Sequence, residues 1–281
     1  MYKISELNIY PIKSLGGVTV QEAKLTRQGL QYDRRWMLVD AENRFITQRE
    51  NHELALLQVS LTETHLKVTH KQTGESILIT FGCETQEEIV ARVFDDVCLV
   101  QFVNKNADKW FSEILKEKCR LVYMPEKSLR YVDNKYAKNA EITSLSDGYP
   151  TLIIGEAALD KLNELLSEKI KMNRFRPNIV FTGGDAHDED EMSHFSVNDI
   201  DFYGVKLCGR CVVPTVNQET GVTGKEPTRT MARYRVHNNK VYFGQNLLHQ
   251  GDGTIKVGDE IKVLEKSKSP FSQLKAISYE L

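Results

Sequence analysis

The chain has 281 residues, 41% hydrophobic and 27% charged, a length that suits two domains and a composition that suits a globular protein. With 37 basic against 39 acidic side chains, the formal net charge of −2 excludes a whole-molecule field for nucleic acid or a membrane surface, so any anion site must be local. No apolar run reaches the ~20 residues that span a bilayer, the N-terminus lacks the apolar core of a signal peptide, and five cysteines fit reduced thiols, so a cytoplasmic protein is expected.

Most of the first 120 residues alternate in the manner of strands. Ile4 to Ile12 reads as one strand and Val18 to Leu25 as the next. Trp36 to Val39 and Phe45 to Thr47 flank the turn-forming residues Asp40 to Asn43, which predicts a hairpin. Val59 and Leu61, then Leu66 and Val68, then Ile77 to Phe81 continue the pattern, with Gly74 in a turn. The continuous apolar run Val97 to Val103 predicts a strand buried on both faces. So many short strands favour a barrel or a sandwich. Trp110, Ile114 and Leu115 then mark a helix with Asn106 as its candidate cap.

The polar stretch Pro125 to Thr143 is the expected domain boundary. Beyond it, Thr151 to Ile154 reads as a strand, and Leu159, Leu162 and Leu166 as an amphipathic helix. Further strands are expected at 179–181, 205–207, 212–216, 241–243 and 261–264. A short helix is expected between Lys225 and Tyr234, and a tail from residue 266.

Chemistry concentrates in Leu207-Cys208-Gly209-Arg210-Cys211-Val212-Val213-Pro214-Thr215. A structural zinc site would need a second Cys/His pair at similar spacing, and none exists. A thioredoxin-like pair would open a helix, whereas the flanks here are strand-like. Two buried thiols packing as small hydrophobes is the plain alternative. Arg210 between them points instead to a stabilised thiolate, the form that binds metal. Lys13-Ser14 and Asp33-Arg34-Arg35 stand at strand ends, where a phosphate could be held by charge-assisted hydrogen bonds. Arg176 precedes Pro177, which biases it to an extended backbone that would project it into a cleft. The acidic run Gly183 to Glu191 lacks calcium-loop spacing and reads as a solvated loop.

Taken together, Tyr10-Pro11-Ile12-Lys13-Ser14, Asp33-Arg34 before Trp36, Arg176-Pro177-Asn178, Arg210-Cys211 with Thr215-Val216, Phe243-Gly244-Gln245-Asn246 and Gly253 to Asp259 resemble the MOSC-domain proteins with their N-terminal β-barrel partner domain. The two-domain layout is similar to the amidoxime-reducing components and their bacterial relatives. The resemblance implies a strand-rich α+β fold: an N-terminal β-barrel domain over residues 1–124, a MOSC-type β-barrel domain with few helices over 125–265, and a tail over 266–281. It implies a molybdenum–molybdopterin cofactor whose protein thiolate is Cys211. It implies further that Lys13, Ser14, Arg34, Arg176 and Asn178 hold the pterin and its phosphate, with Arg210 and Asn246 as near neighbours. The implied activity is reduction of N-hydroxylated small molecules.

Two departures from the pattern stand out. Gly148 and Tyr149 precede Pro150, where the resembled proteins carry small hydroxyl residues. No cysteine follows Cys211, so a C-terminal iron–sulfur domain is not expected and electrons must come from a separate ferredoxin-, flavodoxin- or cytochrome-like donor. MOSC domains also end molybdenum cofactor sulfurases, whose other half uses pyridoxal phosphate; 281 residues leave no length for that half, so pyridoxal phosphate chemistry is not expected. A non-catalytic carrier of the cofactor or of sulfur is the alternative function, and a scaffold without a redox centre the third.

Overall fold

The structure is a computed structural model and describes residues 1–272. Its centre is a closed barrel of seven strands. In neighbour order these are Thr151–Gly155, Ile179–Thr182, Tyr2–Ile9, Glu260–Lys266, Met192–Val197, Ile200–Gly209 and Lys240–Gln250, the last pairing back onto the first. Every pairing is antiparallel except that of Thr151–Gly155 with Ile179–Thr182. Alternation fills the interior: Leu7, Ile153, Ile179, Phe195, Phe202 and Leu247 are buried in one cluster. The first strand of the chain is thus built into the barrel of the C-terminal half, between Ile179–Thr182 and Glu260–Lys266.

The rest of the N-terminal half forms a four-stranded sheet from Trp36–Val39, Arg120–Tyr123, Asp96–Phe102 and Glu88–Val93, and a three-stranded sheet from Leu57–Leu61, His65–His70 and Ser76–Thr80. Helix α1 (Lys105–Leu115) packs Ala107, Phe111 and Leu115 into a core shared with Leu38, Val68 and Leu121. Two more helices are present among the described residues, α2 (Glu156–Leu165) and α3 (Thr228–Met231).

Several local expectations change. The Val18 to Leu25 run is two strands, Val18–Val20 and Glu22–Thr26, because the chain changes partner at Gln21, from the first strand to Gly253–Lys256. Asn104, not Asn106, caps α1: its side chain accepts from Ala107 N at 2.9 Å. The strand expected to be buried on both faces buries one; Cys98, Val100 and Phe102 point inward while Val97 is 60% exposed. The expected strand at 212–216 is a 3-10 turn, Val213–Thr215, closed by Thr215 N to Val212 O at 2.9 Å. The helix between Lys225 and Tyr234 is one turn, Thr228–Met231. The expected tail contributes Lys266 to the last strand, and Ser269 and Phe271 are buried; residues 273–281 lie outside the described residues.

The polar stretch after Pro125 is no loose linker. Arg130 is buried, paired with Asp96 at 2.8 Å, and donates to the carbonyls of Ser144 and Ser146 at 3.0 and 2.6 Å. That lacing fixes the loop that carries Asp147 to the site.

Candidate active site

The site begins where the first strand ends. Tyr10 N donates to the Asp33 carboxylate at 2.8 Å and Arg34 N to Tyr10 O at 2.9 Å, which locks the loops 10–14 and 33–35 together. Arg34 and Arg176 then lie against the Tyr10 ring, 4.4 and 4.2 Å from its centroid. Arg34 is held by Asp33 at 2.6 Å and by Asn178 Oδ1 at 3.0 Å; Arg176 donates to Leu15 O at 2.7 Å. Burial works against both cations. It pulls Arg176 down to about 10 against the opposing pull of Tyr10, whereas for Arg34 the Asp33 carboxylate overrides burial and leaves it above its ordinary value.

Ser14, Arg34 and Arg176 have φ of 70°, 48° and 56°, the left-handed region that costs residues with a Cβ about 1 kcal/mol or more each. The extended backbone expected for Arg176 is therefore not adopted. Its left-handed turn swings the guanidinium back toward the 10–15 loop.

Lys13 sits 5% exposed, donating to Leu145 O at 2.8 Å and to Asp147 at 2.6 Å. Burial lowers its ammonium and Asp147 only partly restores it, which leaves a pKa of about 8. Burial would raise Asp147, but Lys13 overrides it and holds the carboxyl well below the usual range. Arg49 closes the other side of Asp147 at 3.3 Å.

The cysteines come from the end of the Ile200–Gly209 strand and the turn after it. Arg210 donates to Cys208 Sγ at 2.9 Å and to Phe175 O. Cys211 is exposed, whereas Cys208 is half-buried. Arg174 fastens the following turn by donating to Pro214 O at 2.8 Å and Thr215 O at 3.4 Å. Asn246 reaches the site because Gly244 (φ 84°) lets its strand close on Ile154: a Cβ there would lie 2.7 Å from Ile154 Cγ1.

These groups surround one cavity of about 470 Å³. The eight residues that the resemblance assigns to the site all line it, Lys13, Ser14, Arg34, Arg176, Asn178, Arg210, Cys211 and Asn246, whereas Arg35 does not and pairs with Glu126 at 2.6 Å. Asn178 is 1% exposed and its amide is already engaged with Arg34, Leu152 N and Asn8 O, so it positions Arg34. The sequence did not single out Arg49, Asp147, Arg174 or Lys206, which also line the cavity. Nothing local in the sequence distinguishes any of the four from surface charge. Eight cationic side chains face the cavity against one carboxylate, Asp147, on a chain whose net charge is −2. The acidic run, expected as a solvated loop, is instead a buried 3-10 turn, Asp188–Glu191, in which Asp190 pairs with Arg235 at 2.8 Å.

Comparison with known proteins agrees with this architecture. Residues 1–118 match the MOSC N-terminal beta barrel domain and residues 141–262 the MOSC domain. The chain is 31% identical over 279 residues to the mitochondrial amidoxime-reducing component 1 of Mus musculus, covering 93% of this chain and 82% of that one. The Homo sapiens protein of the same name gives the same identity and coverage. Mitochondrial amidoxime reducing component 2 of Bos taurus is 30% identical, over 92% of this chain and 82% of its own length.

Proposed function

The chain belongs to the MOSC-domain family, with the N-terminal β-barrel and MOSC domains both present, and on that premise we propose that it is a molybdenum-cofactor-dependent oxidoreductase that reduces N-hydroxylated small molecules. The observation that carries this reading is the cleft. Loops distant in sequence converge on a cavity within the usual range for cofactor sites, strongly cationic and with an exposed thiol at its edge.

The residues present fit such a group. A phosphate-bearing pterin needs cations and hydrogen-bond donors already oriented, and Lys13, Arg34 and Arg176 are fixed by protein contacts before any ligand arrives. The Ser14 hydroxyl lines the same cavity. A soft metal needs a sulfur ligand, and Cys211 offers an accessible one. In this reading Lys13, Ser14, Arg34 and Arg176 hold the anionic part, Asn178 orients Arg34, Arg210 and Asn246 border the pterin, and Cys211 is the thiolate. When bound, the cofactor supplies two-electron reduction of an N–O bond, whose oxygen leaves as water with two protons.

The protein's own part is to bind, orient and tune. Arg174 holds the turn after Cys211 by its carbonyls, so the thiol is presented from a fixed backbone. Lys13, with a pKa of about 8, holds a proton at Nζ that it shares with Asp147. The substrate is an N-hydroxylated compound and the electron donor a separate redox protein; free thiols at all five cysteines agree with a reducing cytoplasm. Among the described residues no helix is long and apolar enough to cross a membrane.

The test is molybdenum content together with benzamidoxime turnover, on protein purified from a host that makes the cofactor, with a chemical electron donor. Stoichiometric molybdenum and turnover are expected. Molybdenum without turnover would favour a carrier of the cofactor, and no molybdenum would remove the reading.

A further inference from the structure

The residues just before Pro150 depart from the resembled pattern, and they line the cleft. Gly148 has no left-handed φ, and a Cβ built on it would meet no atom within 4 Å. Neither turn geometry nor packing requires glycine there, so its effect is to leave room in the cleft. Beside that room stands Tyr149, also lining the cleft. Its backbone is pinned, since Ser146 Oγ donates to Tyr149 O at 2.8 Å. Its ring meets Tyr136 edge-on at 5.9 Å.

Lys206 completes the wall. Its Nζ lies 4.7 Å from the Tyr136 centroid and 5.7 Å from that of Tyr149. The residue is exposed, and it makes no ion pair among the described residues. By contrast Lys13 and Arg34, at the cofactor end, are each held by a protein carboxylate, Asp147 and Asp33. Register puts Lys206 in the right place: Leu152, Asn246 and Lys206 stand opposite one another on three adjacent strands, and Asn246 Nδ2 donates to Lys206 O at 3.1 Å. Cys208 follows two residues along the same strand.

Resting on the reductase reading, we propose that Tyr149 and Lys206, with the Tyr136 ring packed against both, form the substrate-selecting wall of the cleft, and that it takes planar aromatic N-hydroxylated compounds bearing an anionic group. The Tyr149 ring offers a face or edge for stacking, and Tyr136 holds it edge-on from behind. Lys206, steered by both rings, offers a cation with no internal competitor. Burial pushes the Tyr149 phenol up, so its hydroxyl stays a proton-bearing donor throughout the physiological range. The open space at Gly148 admits the ring.

The test compares binding of benzamidoxime and of 4-carboxybenzamidoxime by isothermal titration to the holoenzyme, with turnover measured in parallel. The carboxylated compound is expected to bind about fivefold more tightly, the range of a single partly solvated ion pair. In Lys206→Gln that ratio falls to about one. In Tyr149→Ser both compounds weaken by about fivefold, the worth of one aromatic contact. Equal binding of the two compounds to the native protein, or a ratio that survives Lys206→Gln, overturns the proposal. A binding ratio that behaves as expected with no turnover of either compound overturns the reductase reading and leaves the wall as a binding feature, so the two failures are separable.

Discussion

Cys208 and Cys211 line one cleft, yet their surroundings differ. Arg210 bonds Cys208, while Cys211 stands exposed beside the cavity. If the accessible thiol is the metal ligand, Cys211→Ser abolishes both molybdenum retention and turnover, while Cys208→Ser keeps most of each. Equal losses from both substitutions, with folding intact by circular dichroism, would favour a dithiol mechanism. Lys13 gives a pH prediction. Folding lowers its pKa from 10.5 to about 8, so in the folded protein the ammonium is full below about 7 and lost as pH rises through 8. A bound anion favours the charged form and raises that value again, so anion affinity is flat below 7 and falls above 8, by at most about tenfold per pH unit. Sulfate, which does not titrate there, is the probe, measured by calorimetry between pH 6.5 and 9.5. A flat profile would take Lys13 out of the anion site, and Lys13→Met is expected to produce one.

Short turns between elements carry more weight here than the helices. The Asp188–Glu191 turn buries Asp190 against Arg235, with Ser269 Oγ also donating to Asp190 at 3.1 Å. That pair joins the turn, the strand at 240–250 (through Arg235 Nε to Tyr242 O at 3.1 Å) and the segment after Lys266. Arg235→Met removes the ion pair of a buried carboxylate and is expected to cost about 3–5 kcal/mol, read from the denaturant midpoint. A loss below about 1 kcal/mol would show that the carboxylate finds another partner or a proton. The 3-10 turn Val213–Thr215 is the second case. Arg174→Ala frees the Pro214 and Thr215 carbonyls, and it is expected to lower cofactor retention at nearly unchanged thermal stability. Unchanged molybdenum content in that variant would mean that the turn holds its shape without the clamp.

At the scale of the molecule, the barrel closes only with residues 2–9 in place, because Tyr2–Ile9 bridges Ile179–Thr182 and Glu260–Lys266. The same insertion delivers Lys13 and Ser14 to a cleft that Arg34, Thr47, Gln48 and Arg49 border together with the C-terminal half. Deleting the first strand is therefore expected to unfold the barrel, seen as loss of the cooperative transition. Electron supply also belongs to this scale. The sequence has no Gly-x-Gly-x-x-Gly fingerprint after a strand and no haem attachment motif. On the reductase reading the protein is expected to be silent with NADH or NADPH alone and active when a small redox carrier and its reductase are added. Robust benzamidoxime reduction by purified protein with NADPH alone would refute the need for a partner.

What the sequence determined by itself is the set of groups and the strand-rich class. Alternation with period two is a local property, and so is the grouping of Lys13-Ser14, Asp33-Arg34, Arg176-Pro177-Asn178 and Arg210-Cys211 into short motifs. Their convergence needed tertiary structure, because it depends on the first strand joining a barrel more than 140 residues away. The same holds for Asp147 and Lys206. Each is one charged residue in a polar neighbourhood, and only the lacing by Arg130 and the register of three strands bring them to the cleft. Arg176 shows the limit most directly: its local bias before proline is extended, and contacts with Leu15 and Tyr10 turn it left-handed instead. Local propensity is worth a kcal/mol or so per residue, less than the packing and hydrogen bonds that a closed barrel can set against it.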